Sequence, residues 1–255
     1  MTERRTIAAA AVLAGVLAGA ACTPSTTVQV GTVTIQEPTS PPSQPPSGGD
    51  SECSNDYFPS DEDATWEYAG ETNVLGPHHT TKRITESNDD GFTMSMSTST
   101  GDVVLNLKYA CVEGDLIMLN PIEQIAGSAV GPDGTAVITT RDQTGITLPA
   151  ELQAANAWQQ YVEGTLTSSE VTMNMTYTFD NVARGLEVVT IPFGTFDAMR
   201  VDTETEGTLE GQYSGTCQTS TWYVKDIGVV KEVTICEMGP STVEVSIELE
   251  SYDAP

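Results

Sequence analysis

The sequence predicts a mainly β protein: a curled antiparallel sheet or half-barrel of two similar halves, with a short helix near residues 149–158. Many short segments rich in Thr and Val alternate polar with apolar residues, as strands with one buried face do. Turn-forming residues separate them, as in Asn88-Asp89-Asp90-Gly91. Consecutive strands with short connections favour an antiparallel sheet that curls or nearly closes.

Strands are expected along the whole domain. Those of the first half and the middle are 65–72, 80–87, 92–98, 103–109, 116–119, 135–140 and 160–166. Those of the second half are 170–179, 186–191, 198–205, 208–213, 216–224, 229–236 and 243–251. Residues 149–158 are the predicted helix, because Pro149 at the first position precedes several Ala and Leu residues. Each half begins with a proline, a short segment, a tryptophan and a strand, which suggests an internal repeat.

The charge of the chain limits its partners. The formal net charge is -26, from 10 Lys and Arg against 36 Asp and Glu. This argues against nucleic acid, because few cations are available to neutralise phosphates, and disfavours electrostatic binding to anionic lipid heads. The acids are spread along the chain, which indicates a well-hydrated surface.

Residues 1–21 are predicted to be a secretory signal peptide. Arg4 and Arg5 precede an unbroken run of apolar and small residues from Ile7 to Ala21. This run is shorter than the roughly 20 residues of a membrane-spanning helix. A positive start, a short apolar middle and small residues at the end are the features of a signal peptide.

Two cleavage sites compete at the end of this segment. Ala18-Gly19-Ala20 is an acceptable cleavage motif that would release a soluble, secreted protein. Gly19-Ala20-Ala21-Cys22 resembles a bacterial lipobox, in which diacylglycerol is attached to Cys22, although Gly19 stands where Leu is usual.

The residues that follow favour the lipobox. Residues 22–52 are rich in Thr, Ser, Pro and Gly, a composition that buries too little apolar surface to fold. We therefore predict a lipid on Cys22, a disordered linker over 22–52 and an antiparallel β domain over 53–255. The lipid would hold the domain at the outer face of the cytoplasmic membrane or at the cell surface, so the membrane is an expected partner.

The other four cysteines predict two disulfides, as expected for an exported protein. Segments 216–224 and 229–236 form a predicted hairpin, and if Val224 pairs with Val229, Cys217 lies directly opposite Cys236. Opposed residues have Cβ atoms about 4.5–5.5 Å apart, close enough for a bond to form after local adjustment. We predict Cys217–Cys236 and, by elimination, Cys53–Cys111.

No catalytic, cofactor or metal pattern stands out, so we predict a non-enzymatic protein without a cofactor or metal. His78 and His79 are interpreted as an exposed hairpin tip, and no cysteine has the neighbours of a zinc site. The sequence from Gly211 to Gly215 lacks the spacing of a hydrolase nucleophile elbow. The acids of two segments lack calcium-loop spacing and are interpreted as solvated: Asp56, Asp61, Glu62 and Asp63, and Asp89 and Asp90.

Two methionine pairs are the candidate ligand-facing residues. Met94 and Met96 alternate with polar residues, as do Met173 and Met175, so each pair lies on one face of its strand. Ordinary core packing is the simplest interpretation. An adaptable apolar cavity is the second, because Met is flexible and polarizable, and a thioether site for Cu(I) is the third.

Three motifs carry a resemblance to a known group of proteins. They are Tyr57-Phe58-Pro59 with Trp66-Glu67-Tyr68, then IPFGTFDAMRV at 191–201, then WYVKDIGVVK at 222–231. Together they resemble a group of bacterial envelope lipoproteins without assigned activity, similar to the LolA and LolB lipoprotein carriers. The resemblance spans residues 57–232 in outline. It implies an envelope location, a curled antiparallel sheet and, by analogy, ligand binding; it brings no catalytic residues.

The expected function is therefore that of a lipid-anchored envelope protein that binds an apolar ligand or lipid within its curled sheet. The alternative is a structural or interaction module of the cell surface, without a small-molecule ligand, that contacts envelope proteins through its acidic outer surface. A hydrolase is the third and least supported class.

Overall fold

The computed structural model describes residues 53, 55–74, 76–99, 104–122, 136–168, 172–209, 213–239 and 241–255. The predicted signal peptide over 1–21, Cys22 and the linker over 22–52 lie outside the described residues. Within the described ranges, no helix has the length and apolar character needed to cross a membrane.

Twelve strands form one antiparallel sheet. Except for β5 and β6, strands that follow each other in the chain are paired, and β1 also pairs with β12, so the order is β5-β4-β3-β2-β1-β12-β11-β10-β9-β8-β7-β6. The predicted antiparallel fold is confirmed, with halves of five and seven strands. The strands are β1 (Thr65–Thr72), β2 (Gly76–Asn88), β3 (Gly91–Thr98), β4 (Val104–Val112), β5 (Asp115–Met118), β6 (Ala136–Gly145), β7 (Ala157–Ser168), β8 (Thr172–Ile191), β9 (Gly194–Leu209), β10 (Tyr213–Val224), β11 (Gly228–Met238) and β12 (Ser241–Asp253).

The two edge strands, β5 and β6, approach each other and nearly close the sheet into a barrel. Leu116 of β5 forms an isolated bridge with Leu148, which follows β6. The Gln143 side-chain amide donates to the Met118 carbonyl oxygen at 2.5 Å. The Met118 N–H donates to Thr147 Oγ1 at 2.8 Å. Side-chain hydrogen bonds thus satisfy backbone groups of an edge strand that no long ladder covers.

The chain before β1 covers one end of the barrel, which we refer to as the closed end. The Asn55 amide donates to the carbonyl oxygens of Gly114 and Pro149, at 3.0 and 3.1 Å. On the opposite side, the Asp226 N–H donates to the Asp56 carbonyl oxygen at 2.9 Å. Phe58 lies between these attachments and stacks on Phe92, with ring centroids 5.5 Å apart. The other end, where β1, β3 and β9 finish, is referred to as the open end.

Buried apolar side chains form one main core below the closed end, a second, smaller one, and a third cluster of Cys217, Cys236 and Val243. The main core contains Tyr57, Trp66, Tyr68, Ile84, Phe92, Leu107, Tyr109, Leu116, Leu148, Met199, Val230 and Leu249, among others. The second core contains Ile122, which follows β5, and residues of β7, β8 and β9: Val162, Leu166, Met175, Tyr177 and Leu209. Alternation along the strands places these residues on the inner face, as period-two patterning requires.

Both predicted disulfides are present, Cys53–Cys111 and Cys217–Cys236. The first ties the segment over the closed end to β4. The second joins β10 to β11, where Cys217 lies directly opposite Cys236 as predicted.

The pairing assumed at the hairpin tip was wrong by one residue. Tyr223 pairs with Val229 and Val224 pairs with Gly228, and a bulge then shifts the register so that Trp222 pairs with Lys231. The bulge adds one residue to β11 and therefore restores the predicted pairing for the rest of the hairpin.

The predicted helix over 149–158 is absent, and this is a correction to the sequence analysis. The Ala150 N–H donates to Asp115 Oδ1 at 2.7 Å, and the Ala155 N–H donates to the Ala183 carbonyl oxygen at 2.8 Å. Ala155 has a φ of 70°, in the left-handed region that interrupts a helix. Trp158 already belongs to β7. Acceptors far away in the chain thus form hydrogen bonds with backbone N–H groups that a helix would have paired internally.

The strand boundaries in the second half also need correction. The predicted strands 170–179 and 186–191 are one continuous strand, β8, and a separate strand over 208–213 does not exist, because β9 runs to Leu209. The break that the sequence predicted between these two segments falls at Gly185, which has a φ of 121°. The pairing of β8 with β9 shifts register between Ala183 and Gly185. The glycine therefore serves a bulge within the strand, not a turn between strands.

Candidate functional site

Two charged side chains lie inside the barrel. Lys82 on β2 is directly opposite Trp66, which is 2% exposed. Glu232 on β11 is directly opposite Ile247, which is 9% exposed. Directly opposed residues share a face of the sheet, so both charges point inward. Apart from Asp197, which shares a strand face with Met199 but is exposed near the β8–β9 turn, the other paired positions of the described strands place charged side chains on the outer face.

Three tyrosines surround these charges, and we refer to Lys82, Glu232, Tyr68, Tyr109 and Tyr223 as the interior polar site. The Lys82 ammonium lies 5.1 Å from the centre of the Tyr68 ring, within the range of a cation–π interaction. The charge of Glu232 acts on Lys82 and on all three phenols. Glu232 is therefore the electrostatic centre of the group.

Burial changes the protonation behaviour of this site. Burial lowers the pKa of the Lys82 ammonium, and the Glu232 carboxylate opposes that shift. Burial raises the pKa of Tyr68 and of Tyr223, and the negative charge of Glu232 raises both further. Burial also raises the pKa of Tyr109. The phenols therefore stay protonated and available as hydrogen-bond donors at any physiological pH.

The interior polar site has unused hydrogen-bonding capacity. Tyr68 donates its hydroxyl to the Val229 carbonyl oxygen at 2.9 Å. The Lys82 ammonium, the Glu232 carboxylate and the hydroxyls of Tyr109 and Tyr223 make no hydrogen bond within the part of the chain that the structure describes.

These four groups also retain contact with open space. Lys82, Tyr223 and Glu232 are only half-buried although they lie on the inner face. In the described part of the chain, the enclosed side-chain atoms that lack a partner are Nε2 of His78 and Nε2 of Gln160, and none belongs to the interior polar site. The unpaired donors and the acceptor of the interior polar site are therefore not fully enclosed by protein atoms.

A row of threonines continues this polar lining towards the open end. Thr203, Thr219 and Thr234 are directly opposed on β9, β10 and β11. The hydroxyls of Thr219 and Thr234 lie 3.0 Å apart, and Thr203 donates to the Asn181 side-chain oxygen at 2.8 Å. The three threonines are half-buried, like Lys82, Tyr223 and Glu232.

Sequence analysis did not identify Lys82 or Glu232, although the signal was present. Lys82 is two residues from Ile84, and Glu232 is two residues from Val230. Ile84 and Val230 are each fully buried. Since side chains two residues apart share a strand face, the alternation places both charges inside.

The histidine pair lies within β2 and not at a hairpin tip, which corrects the interpretation of both as exposed. His79 is exposed and its Nδ1 lies 3.2 Å from Glu250. His78 is only 4% exposed because its ring packs over Gly70, where a Cβ would lie 2.4 Å from the ring. Its Nε2 has no hydrogen-bond partner in the described part of the chain.

The methionine pairs do not come together in one cavity. Met94 belongs to the main core and Met175 to the second core, and Met173 packs against the second core. Met96 is buried beside Lys82, directly opposite it on β3. Core packing therefore accounts for Met94 and Met175, while Met96 contributes apolar surface next to the interior polar site.

An acidic cleft of about 590 Å³ lies on the outside of the closed end. It includes Asp56, Asp61, Glu62, Asp89 and Asp226. Asp56 is paired with the Lys225 ammonium at 2.7 Å. Among the described residues, no group of three or more His, Cys, Asp or Glu side chains is arranged to hold a metal ion.

We expect alkaline pH to destabilise the folded protein through its buried tyrosines. Burial raises the pKa of Tyr177 to about 12, and the pKa values of Tyr68, Tyr109 and Tyr223 are raised as well. These phenols stay neutral in the folded state while they ionise near pH 10 in the unfolded chain. Their contribution to the free energy of unfolding is therefore present below about pH 10. Above that pH it falls by about 1.4 kcal/mol per pH unit for each tyrosine.

Lys82 has the opposite effect on the pH dependence of stability. Its pKa is lowered in the folded state, so the folded protein loses this proton at a lower pH than the unfolded chain does. The free-energy cost of burying its charge falls as pH rises through that lowered pKa. Tyrosinate absorbance measures the outcome: fewer tyrosines should ionise at pH 11 in the folded protein than in denaturant. Equal titration in both states would contradict the buried tyrosine group.

Two solved structures share this fold. One is a candidate exported protein with a YmcC-like fold from Bacteroides fragilis, with a TM-score of 0.52 and 12% identity over 79% of this chain and 100% of its own. The other is a candidate lipoprotein from Parabacteroides distasonis, with a TM-score of 0.51 and 14% identity over 78% of this chain and 99% of its own. At these identities the likeness shows the fold alone. No family model matches the chain, and no curated protein matches its sequence.

Proposed function

We propose that this chain is a lipid-anchored cell-envelope protein, non-enzymatic, whose barrel binds an apolar ligand or lipid next to the interior polar site. The observation that carries the proposal is the set of polar groups on the inner face of the barrel that are not fully enclosed and make no hydrogen bond within the described residues. Ligand pockets are typically apolar, with a few polar groups that fix the orientation of the ligand.

Apolar side chains on both sides of the charges provide the contact surface for such a ligand. Next to Lys82 lie Trp66 and Met96, and next to Glu232 lies Ile247. Burial of an alkyl chain against such surface stabilises a complex by about 0.8 kcal/mol per methylene. The apolar chain of the ligand supplies affinity, and the polar atoms of the site fix its head.

The location supports the same function. The predicted signal peptide and the predicted lipid on Cys22 would hold the domain outside the cytoplasm, next to a membrane that contains apolar ligands. The two structural neighbours are described as an exported protein and a lipoprotein. The proposed carrier-like binding follows the resemblance to LolA and LolB, which likewise have curled sheets.

A matched pair of substitutions tests ligand binding. We expect Thr234→Phe, which places a ring on the inner face of β11, to reduce lipid binding at least about tenfold by filling the space beside Glu232. Ile235→Phe is the control, because Ile235 is on the same strand and 41% exposed on the outer face. Native mass spectrometry of full-length protein extracted from membranes in mild detergent measures the bound lipid.

The wild-type protein and the Ile235→Phe variant should carry a lipid adduct that Thr234→Phe lacks. Circular dichroism and the unfolding midpoint establish that each variant is folded. Absence of any adduct from wild-type protein, together with failure of added lipid to bind, would overturn the proposed function. An adduct that persists at full occupancy in a folded Thr234→Phe variant would place the ligand elsewhere.

A further inference from the structure

We infer that the interior polar site selects an uncharged amphiphile, one whose head carries hydroxyl or ester oxygens, over an amphiphile with an anionic head. This inference rests on the proposed function and specifies the ligand class for the same site. It follows from the charges, the donors and the surroundings of the site.

The charges inside the barrel balance each other. Lys82 and Glu232 are the two half-buried charged side chains on the inner face of the described strands, one positive and one negative, and Asp197 near the β8–β9 turn is exposed. A carboxylate or phosphate head would enter a space whose single ammonium is already opposed by Glu232. The excess negative charge would then be buried without a partner, which is strongly unfavourable.

The hydrogen-bonding groups suit a neutral head. Tyr109 and Tyr223 offer phenolic hydroxyls, which can donate to ester or hydroxyl oxygens. The Glu232 carboxylate accepts a hydrogen bond from a ligand hydroxyl, which an anionic head without a hydroxyl cannot donate. The threonines towards the open end can both donate and accept. A glycerol-like head, with several hydroxyls, would satisfy both kinds of group.

The histidine of the inner face does not contact a ligand head in the interior polar site. His78 is fully covered by its packing against Gly70 and does not face the accessible space. The outer surface disfavours anions as well, because the whole chain has a formal net charge of -26. Like charge at long range reduces the rate at which an anionic lipid reaches the barrel.

The inference is tested with two probes that have the same alkyl chain and different heads, monopalmitoylglycerol and palmitate. Dissociation constants are measured at neutral pH for the full chain by calorimetric titration below the micellar concentration of each probe. We expect monopalmitoylglycerol to bind at least about tenfold more tightly than palmitate. Equal or tighter binding of palmitate by the wild-type protein would overturn the inference and leave the proposed function standing.

Substitutions of the two charges give a reciprocal check. Glu232→Gln leaves the ammonium unopposed, so palmitate should bind about tenfold more tightly than it does to wild type. Lys82→Met leaves the carboxylate unopposed, so palmitate binding should weaken further. The double variant restores the balance and should keep the wild-type preference, which provides a test even if one single variant fails to fold.

The outcomes separate this inference from the function on which it rests. If neither probe binds to the folded wild-type protein, both the proposed function and the inference are overturned. If both probes bind and the substitutions leave their ratio unchanged, lipid binding is real and the charge balance does not select the head. A preference for monopalmitoylglycerol that falls about tenfold in Glu232→Gln and is kept in the double variant supports the inference.

Discussion

Replacing Trp66 by Ala is expected to lower the free energy of unfolding by about 3–5 kcal/mol. Trp66 is 2% exposed, and its ring stacks on Tyr252 with centroids 5.3 Å apart. Its Nε1–H donates to the Ile227 carbonyl oxygen at 2.6 Å, across the closed end. The substitution leaves a cavity and an unpaired carbonyl oxygen, and both effects destabilise the folded state.

The matched control for Trp66 is Phe193→Ala. Phe193 follows β8 at the tip of a hairpin, is 38% exposed, and has an aromatic neighbour in Phe196 at 5.9 Å. Its removal should cost no more than about 1 kcal/mol, because little buried surface is lost. Equilibrium unfolding in denaturant measures both variants. The closed end would not be the stable part of the core if the two losses were equal.

Removing the Cys53–Cys111 disulfide by replacing both residues with Ser should cost about 4 kcal/mol. The bond joins residues 58 apart in sequence, so breaking it releases a long loop and raises the entropy of the unfolded chain. It also frees the segment that covers the closed end, including Tyr57 and Phe58.

The second disulfide provides the comparison. Cys217 and Cys236 are 19 apart in sequence, and their replacement by Ser should cost about 3 kcal/mol on the same argument. Both double variants are measured against wild type by denaturant unfolding under non-reducing conditions. A larger loss for the Cys217–Cys236 pair would show that local packing at the hairpin outweighs loop entropy.

The two cores explain why the site lies where it does. The main core fills the space below the closed end, and the second core fills the inner face of β7 and β8. The interior polar site lies at the boundary of the main core, where the threonine row begins. A ligand that enters from the open end would meet Cys217, Cys236 and Val243 first, then the threonines and the charges last, so its head would point towards the closed end.

How much of this could be predicted from the sequence differs between the fold and the site. The β class, most strands and both disulfides follow from local patterns. The Cys217–Cys236 pairing was predictable because the two strands are adjacent in the chain and share one hairpin. The incorrect pairing of Val224 with Val229 did not affect the predicted disulfide, because the bulge in β11 restores the register at Cys217 and Cys236.

The errors have a common physical cause. The helix predicted over 149–158 is absent because Asp115 and Ala183 take the N–H groups of Ala150 and Ala155. These acceptors are far away in the chain, and no local sequence pattern indicates them. The break predicted near Gly185 failed for a related reason, since β8 continues through a bulge to reach the closed end.

Sequence alone determined the β character and the cysteine pairs, because the first depends on local alternation, one pair lies within a hairpin, and the other pair follows by elimination. The leader and the tether depend on local composition and stay predictions. Tertiary structure alone decided the interior polar site. Strand alternation tells which side of a sheet Lys82 and Glu232 occupy, but β2 and β11 meet only because β1 and β12 pair at the centre of the sheet and its edges curl together. Long-range pairing of this kind is fixed by the free energy of the whole barrel, and not by any single segment.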